Sequence, residues 1–82
     1  MNLDELERIL EAILFASGDP VETARLSSVT GASEDDVCTA LETLQNRLAF
    51  ERRGIRILRL EDAWQMCSDK EQISYVTLAL ET

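Results

Sequence analysis

At Gly54 the spacing of apolar residues changes from a helical repeat to strict alternation. That change constrains the fold more than any other feature. Side chains three or four apart share a helix face, whereas side chains two apart share a strand face. Upstream of it, Leu3, Leu6, Ile9, Leu10, Ile13 and Leu14 form one helical stripe, with Asp4, Glu7, Arg8 and Glu11 on the other side. Asn2 is placed to cap this helix, with Glu5 three residues on to complete a capping box. Gly18 is placed to end it in a left-handed conformation, and Asp19-Pro20 makes the turn. A second helix is expected from Glu22 or Thr23 to about Val29, with Ala24, Leu26 and Val29 inward and Thr30-Gly31 closing it. Ser33, with Asp36 three residues later, reads as the cap of a third helix. Its buried stripe is Val37, Leu41, Leu44 and Leu48, and it runs to about Phe50. Arg47, Arg52 and Arg53 suit its carboxyl end, and Gly54 is expected to stop it.

Downstream, Ile55, Ile57 and the Leu58-Arg59-Leu60 triplet predict a strand over 55–60, and Trp64, Met66 and Ser68 predict its return over 64–68. Glu61-Asp62-Ala63 connects them as a hairpin. Ser68 and Glu71 read as another capping box, opening a last helix marked by Ile73, Val76, Ala79 and Leu80. Three helices followed by a two-stranded hairpin is the order of a winged helix-turn-helix, an α+β fold that is mostly α, here with a trailing C-terminal helix. The last helix is still running at Glu81-Thr82, so the expectation is one domain, residues 1–82, cut from a longer protein.

Side-chain chemistry removes several function classes. The chain has no histidine, which excludes Ser-His-Asp and Cys-His nucleophiles and every His-containing metal site. Cys38 and Cys67 have no CxxC spacing and read as two reduced thiols near a core. Glu34, Asp35 and Asp36 point in different directions from one helix, so capping explains them better than a cation. With Gly18, Gly31 and Gly54 as the only glycines there is no phosphate loop, and neither a catalytic constellation nor a cofactor site is expected. The acidic start lacks the basic region of a signal peptide, and the apolar run Ala12–Ala16 is far short of a membrane span. A cytoplasmic, non-enzymatic protein is expected.

The block Leu10-Glu11-Ala12-Ile13-Leu14-Phe15-Ala16-Ser17-Gly18-Asp19-Pro20-Val21 resembles the opening of the bacterial segregation and condensation protein B family. Leu41-Glu42-Thr43-Leu44, Arg53-Gly54-Ile55-Arg56-Ile57-Leu58-Arg59-Leu60 and Ala63-Trp64-Gln65-Met66 are similar to its third helix and wing. Ala63 and Trp64 stand where glycine and tyrosine are commoner. The resemblance implies the amino-terminal one of two winged-helix domains, in an accessory subunit of the SMC/condensin complex. It further implies homodimerisation and binding of the kleisin subunit (segregation and condensation protein A), and through it the SMC ATPase. The setting would be chromosome condensation and segregation, with nucleoid association through the complex.

Two sets of residues are candidates for contact. The stripe of the first helix is wider than a small core needs, so a partner or dimer interface is expected on Leu3, Leu6, Leu10, Ile13 and Leu14, with Trp64 as either core or anchor. The alternative function is a winged-helix transcriptional regulator, with phosphate contact through Arg53, Arg56 and Arg59. Net charge opposes that alternative: it is −8 overall, and only residues 51–60 are basic, at +3. The outward face of the third helix carries Asp35, Thr39, Glu42, Gln45 and Asn46, and like charges at its leading end oppose docking on DNA.

Overall fold

Helix α1 (Leu3–Ser17) begins where Asn2 holds an extended backbone and its Oδ1 accepts the Glu5 N–H at 2.8 Å. It ends at Gly18, whose φ of 72° only glycine adopts without cost. The computed structural model describes residues 1–81. The chain continues through a two-residue strand β1 (Val21–Glu22), helix α2 (Thr23–Thr30) and helix α3 (Glu34–Phe50). Strands β2 (Ile55–Leu60) and β3 (Ala63–Ser68) form the hairpin, and a 3₁₀ turn over Lys70–Gln72 leads into α4 (Ile73–Leu80). The fold is a winged helix with a three-stranded antiparallel sheet in the order β1-β3-β2.

The core is made by α1, α2, α3 and the inner face of the hairpin. Leu6, Leu10 and Leu14 meet Leu26, Val37, Ala40, Leu41, Leu44 and Leu48, and Ile57 and Trp64 close the far side. Register explains the last two. Ile57 faces Met66 and Arg59 faces Trp64 on one side of the ribbon, while Leu58 and Leu60 point to the other and stay exposed. Across the core, Glu7 of α1 is buried and takes both its carboxylate bonds from Arg47 of α3, at 2.7 Å. That hydrogen bond, and secondly the charge, raise the Arg47 pKa above its ordinary value.

Several expectations need correction. Ala24 and Val29 are exposed, and Thr23 with Leu26 forms the inner face of α2 instead. The polar Thr23 can be buried because its N–H and hydroxyl both donate to the Asp62 carbonyl, at 2.7 and 2.9 Å. Ser68 caps nothing: it is the last residue of β3, paired with Ile55, and α4 opens at Gln72 with no side-chain cap. Nor does that helix run on through Glu81, whose backbone is extended at ψ 135°, while Thr82 lies outside the described residues.

Gly54 does not stop α3 either. The stop is Arg52, at φ 53°, flanked by the bonds Arg52 N–H to Ala49 O (3.1 Å) and Arg53 N–H to Leu48 O (3.0 Å). This is a Schellman closure with a bulky side chain where glycine is usual. A left-handed residue with a Cβ costs about 1–2 kcal/mol, partly offset by the greater unfolded-state freedom of glycine. Arg52→Gly is therefore expected to stabilise the domain by about 0.5–1 kcal/mol, a rise of roughly 2–8 °C in Tm. Thermal unfolding followed by circular dichroism checks it, and a lower midpoint would contradict the assignment.

Candidate functional site

The apolar stripe of α1 divides between core and surface. Leu6, Leu10 and Leu14 have at most 2% of their surface exposed, so they are closed to any partner. Trp64, at 0%, is core as well. These four leave the interface set. Leu3 stays exposed, and Ile13 is half-buried against the core. The two-fold choice at each helical turn explains the division. The middle of the stripe faces α3, while Ile9 and Ala12 at its edge face outward with Phe15, which is 77% exposed.

That outward edge borders the hairpin. Ala12 and Phe15 of α1, with Ile55 of β2 and Met66 of β3, line an apolar groove of about 240 Å³ whose rim carries Arg8 and Glu11. Further along the chain, α4 leaves Ile73, Tyr75, Leu78 and Leu80 all exposed, and no charge interrupts residues 72–80. Sequence periodicity missed both features. Ile55 and Met66 read as ordinary strand residues, and α4 read only as a last helix marked by Ile73, Val76, Ala79 and Leu80. The available signal was the uncharged run itself, since a helix apolar all round is one that something covers.

The wing arginines turn to the protein's own oxygens. Arg56 pairs with Asp69 at 3.7 Å and donates to the carbonyls of Arg53 and Ile55. Arg59 approaches Glu42 of α3 at 3.8 Å, donates to the Glu61 carbonyl, and places its guanidinium 4.9 Å from the centre of the Trp64 ring. Of the three candidate arginines 53, 56 and 59, Arg53 alone has no ion pair among the described residues; it lines a shallow mixed-charge depression with Glu11, Arg47 and Glu51.

The outward face of α3 is engaged in the same way. Gln45 donates its amide to the Ile57 carbonyl at 2.8 Å. This bond and the Arg56 contact cover two carbonyls of β2 at the free edge of the sheet, which blunts that edge against strand addition. A helix whose Gln45 and Glu42 hold the wing offers few groups for reading bases.

Among the described residues there is no group of three or more metal-ligating side chains, and Cys38 and Cys67 are half-buried free thiols. Among them also, no helix is long and apolar enough to cross a membrane. The chemistry on offer is apolar contact.

Comparison with known proteins agrees with this geometry. The sequence model of the segregation and condensation complex subunit ScpB matches residues 8–82. Segregation and condensation protein B of Acetivibrio thermocellus is 36% identical over 77 residues, 93% of this chain and 39% of that protein. The protein of the same name from Lachnoclostridium phytofermentans is 34% identical over 68 residues, 83% of this chain and 36% of that one. This chain thus spans well under half the length of these relatives. The crystal structure of ScpB from Mycobacterium tuberculosis superposes with a TM-score of 0.92 at 28% identity, covering 98% of this chain and half of that one. A crystal structure of a dimer of an ScpB N-terminal domain complexed with an ScpA peptide superposes with a TM-score of 0.86 at 29% identity, covering 95% of this chain and 98% of that one.

Proposed function

Since the chain belongs to the segregation and condensation complex subunit ScpB family, we propose that it is the amino-terminal winged helix of a non-enzymatic accessory subunit of the bacterial SMC complex. In this reading it homodimerises, binds the kleisin subunit and acts in chromosome condensation and segregation in the cytoplasm. A second winged-helix domain would follow it in the whole protein.

One observation carries the proposal: the likeness, over nearly the full length of both chains, to a domain crystallised as a dimer with an ScpA peptide. The surface supports it. Exposed Phe15, Ile55 and the apolar side of α4 are the groups a protein partner would cover. The DNA-regulator alternative is weaker, because Arg56, Arg59, Glu42 and Gln45 are engaged within the domain. A pull-down with the kleisin subunit tests the reading. The expected result is co-purification that survives physiological salt, as apolar contacts do. A chain that fails to capture the kleisin but shifts a defined operator at that salt would overturn it in favour of a regulator.

A further inference from the structure

We propose that α4 is an order-on-contact element: in a free single copy residues 73–80 are mostly unfolded, and they become helical only when neighbours hold them from two sides. This property belongs to the chain's own packing and is independent of the function proposed above.

Nothing local holds the helix. Its eight residues fall short of the roughly 12–15 at which an isolated helix becomes even marginal in water, because nucleating the first turn carries a factor of about 10⁻³. Ile73, Ser74, Tyr75, Val76 and Thr77 are all of middling helix propensity, and three of them are β-branched. Gln72 gives no side-chain cap. With no charge from 72 to 80 there is neither an ion pair along the helix nor a charge set against its dipole. The 3₁₀ turn before it buries no residue, so it is a weak nucleus.

Tertiary contact does not make up the difference. Among the described residues α4 packs substantially only on that turn. Tyr75, Leu78 and Leu80 keep 70–76% of their surface exposed, Ile73 keeps about half, and Val76 alone is half-buried. Helix α2 is the comparison. It is also eight residues long, yet it buries Thr23 and Leu26, packs on α3 and closes at Gly31 in a left-handed conformation. Burial separates the two helices.

The faces of α4 explain why the domain cannot supply that burial. At about 100° per residue, Ile73, Val76 and Leu80 fall on one side of the helix, and Tyr75 and Leu78 fall on the opposite side. A single surface covers one side and leaves the other in water. Folding back onto its own domain would therefore still leave one apolar pair exposed. Order in α4 requires two neighbours in place, which makes the segment a device that couples local folding to assembly.

The test is amide hydrogen exchange on the chain alone at low micromolar concentration, read by mass spectrometry. Residues 77–80 are expected to show less than about 10-fold protection, while α1 and α3 around Leu10 and Leu44 show about 1,000-fold or more. A second measurement is the thermal unfolding of Thr77→Pro. Proline there removes a helical hydrogen bond and strikes the preceding turn, which in an integral helix lowers Tm by more than about 10 °C. The expected Tm is instead unchanged to within about 1 °C, because α4 adds nothing to the free domain. Exchange of residues 77–80 as slow as that of α3, or a Tm lowered by several degrees in Thr77→Pro, would place α4 inside the cooperative domain and overturn the proposal.

Discussion

Leu10→Glu is expected to abolish folding rather than to release a monomer. Leu10 has no exposed surface and lies midway along α1, between Leu6 and Leu14 and against α3. Removing a buried leucine side chain alone costs about 3–5 kcal/mol through lost transfer energy and the cavity left behind. A carboxylate in its place adds a desolvation penalty of several kcal/mol, because the core residues packed around it are apolar. A domain of this length has roughly 4–12 kcal/mol in total. The far-ultraviolet helical signal and the cooperative thermal transition should therefore both be lost. Leu3→Glu is the comparison, because Leu3 is 47% exposed on the same helix, and that variant should unfold cooperatively near the wild-type midpoint. A folded, soluble Leu10→Glu domain would mean that the α1 stripe is a surface after all.

The contrast between these two leucines shows how far periodicity reaches. Spacing placed Leu3, Leu6, Ile9, Leu10, Ile13 and Leu14 on one stripe, yet spacing cannot say how wide a wedge of that stripe the neighbouring elements cover. The covered width depends on where α3 and the hairpin pack, which is set by contacts distant in the chain. Elements with strong local chemistry were legible. Asn2 and Ser33 cap as expected, accepting the N–H groups of Glu5 and Asp36. The alternation after Gly54 gave β2 and most of β3, with β3 beginning one residue earlier than expected, at Ala63.

What stayed hidden depended on partners far along the chain. The strand β1 is two residues long and exists because Val21 and Glu22 meet Trp64 and Ala63, and two residues carry no period. Thr23 is buried through a carbonyl 39 residues away. Gln45 reads as a solvent-facing position on α3, but the packing of β2 against that helix brings the Ile57 carbonyl to it. The wing arginines illustrate the same point for function. Their clustering suggested phosphate, whereas Asp69 and Glu42 reach two of them only in the folded chain.

Trp64→Ala should be the most damaging truncation in the domain. The indole has no exposed surface: the core lies on one side, and the Arg59 guanidinium stands 4.9 Å from the ring centre. Its Nε1–H donates to the Thr23 hydroxyl at 2.9 Å, and that hydroxyl donates in turn to the Asp62 carbonyl at 2.9 Å. The ring therefore joins three parts, the core, the first turn of α2 and the hairpin turn. Removing it costs about 3–5 kcal/mol, enough to lower the midpoint by well over 10 °C in a domain of this size. Two milder variants separate packing from hydrogen bonding. Trp64→Phe keeps much of the volume, and the Thr23 hydroxyl keeps its bond to Asp62, so a smaller loss is expected. Thr23→Val preserves the ring but leaves a buried indole N–H without an acceptor, which costs about 1–3 kcal/mol. In a double-mutant cycle the Thr23→Val loss should shrink once Trp64 is phenylalanine, because no stranded donor is left to penalise. Strict additivity across that cycle, measured by denaturant unfolding, would show that the Thr23–indole bond contributes nothing and that Trp64 acts through its volume alone.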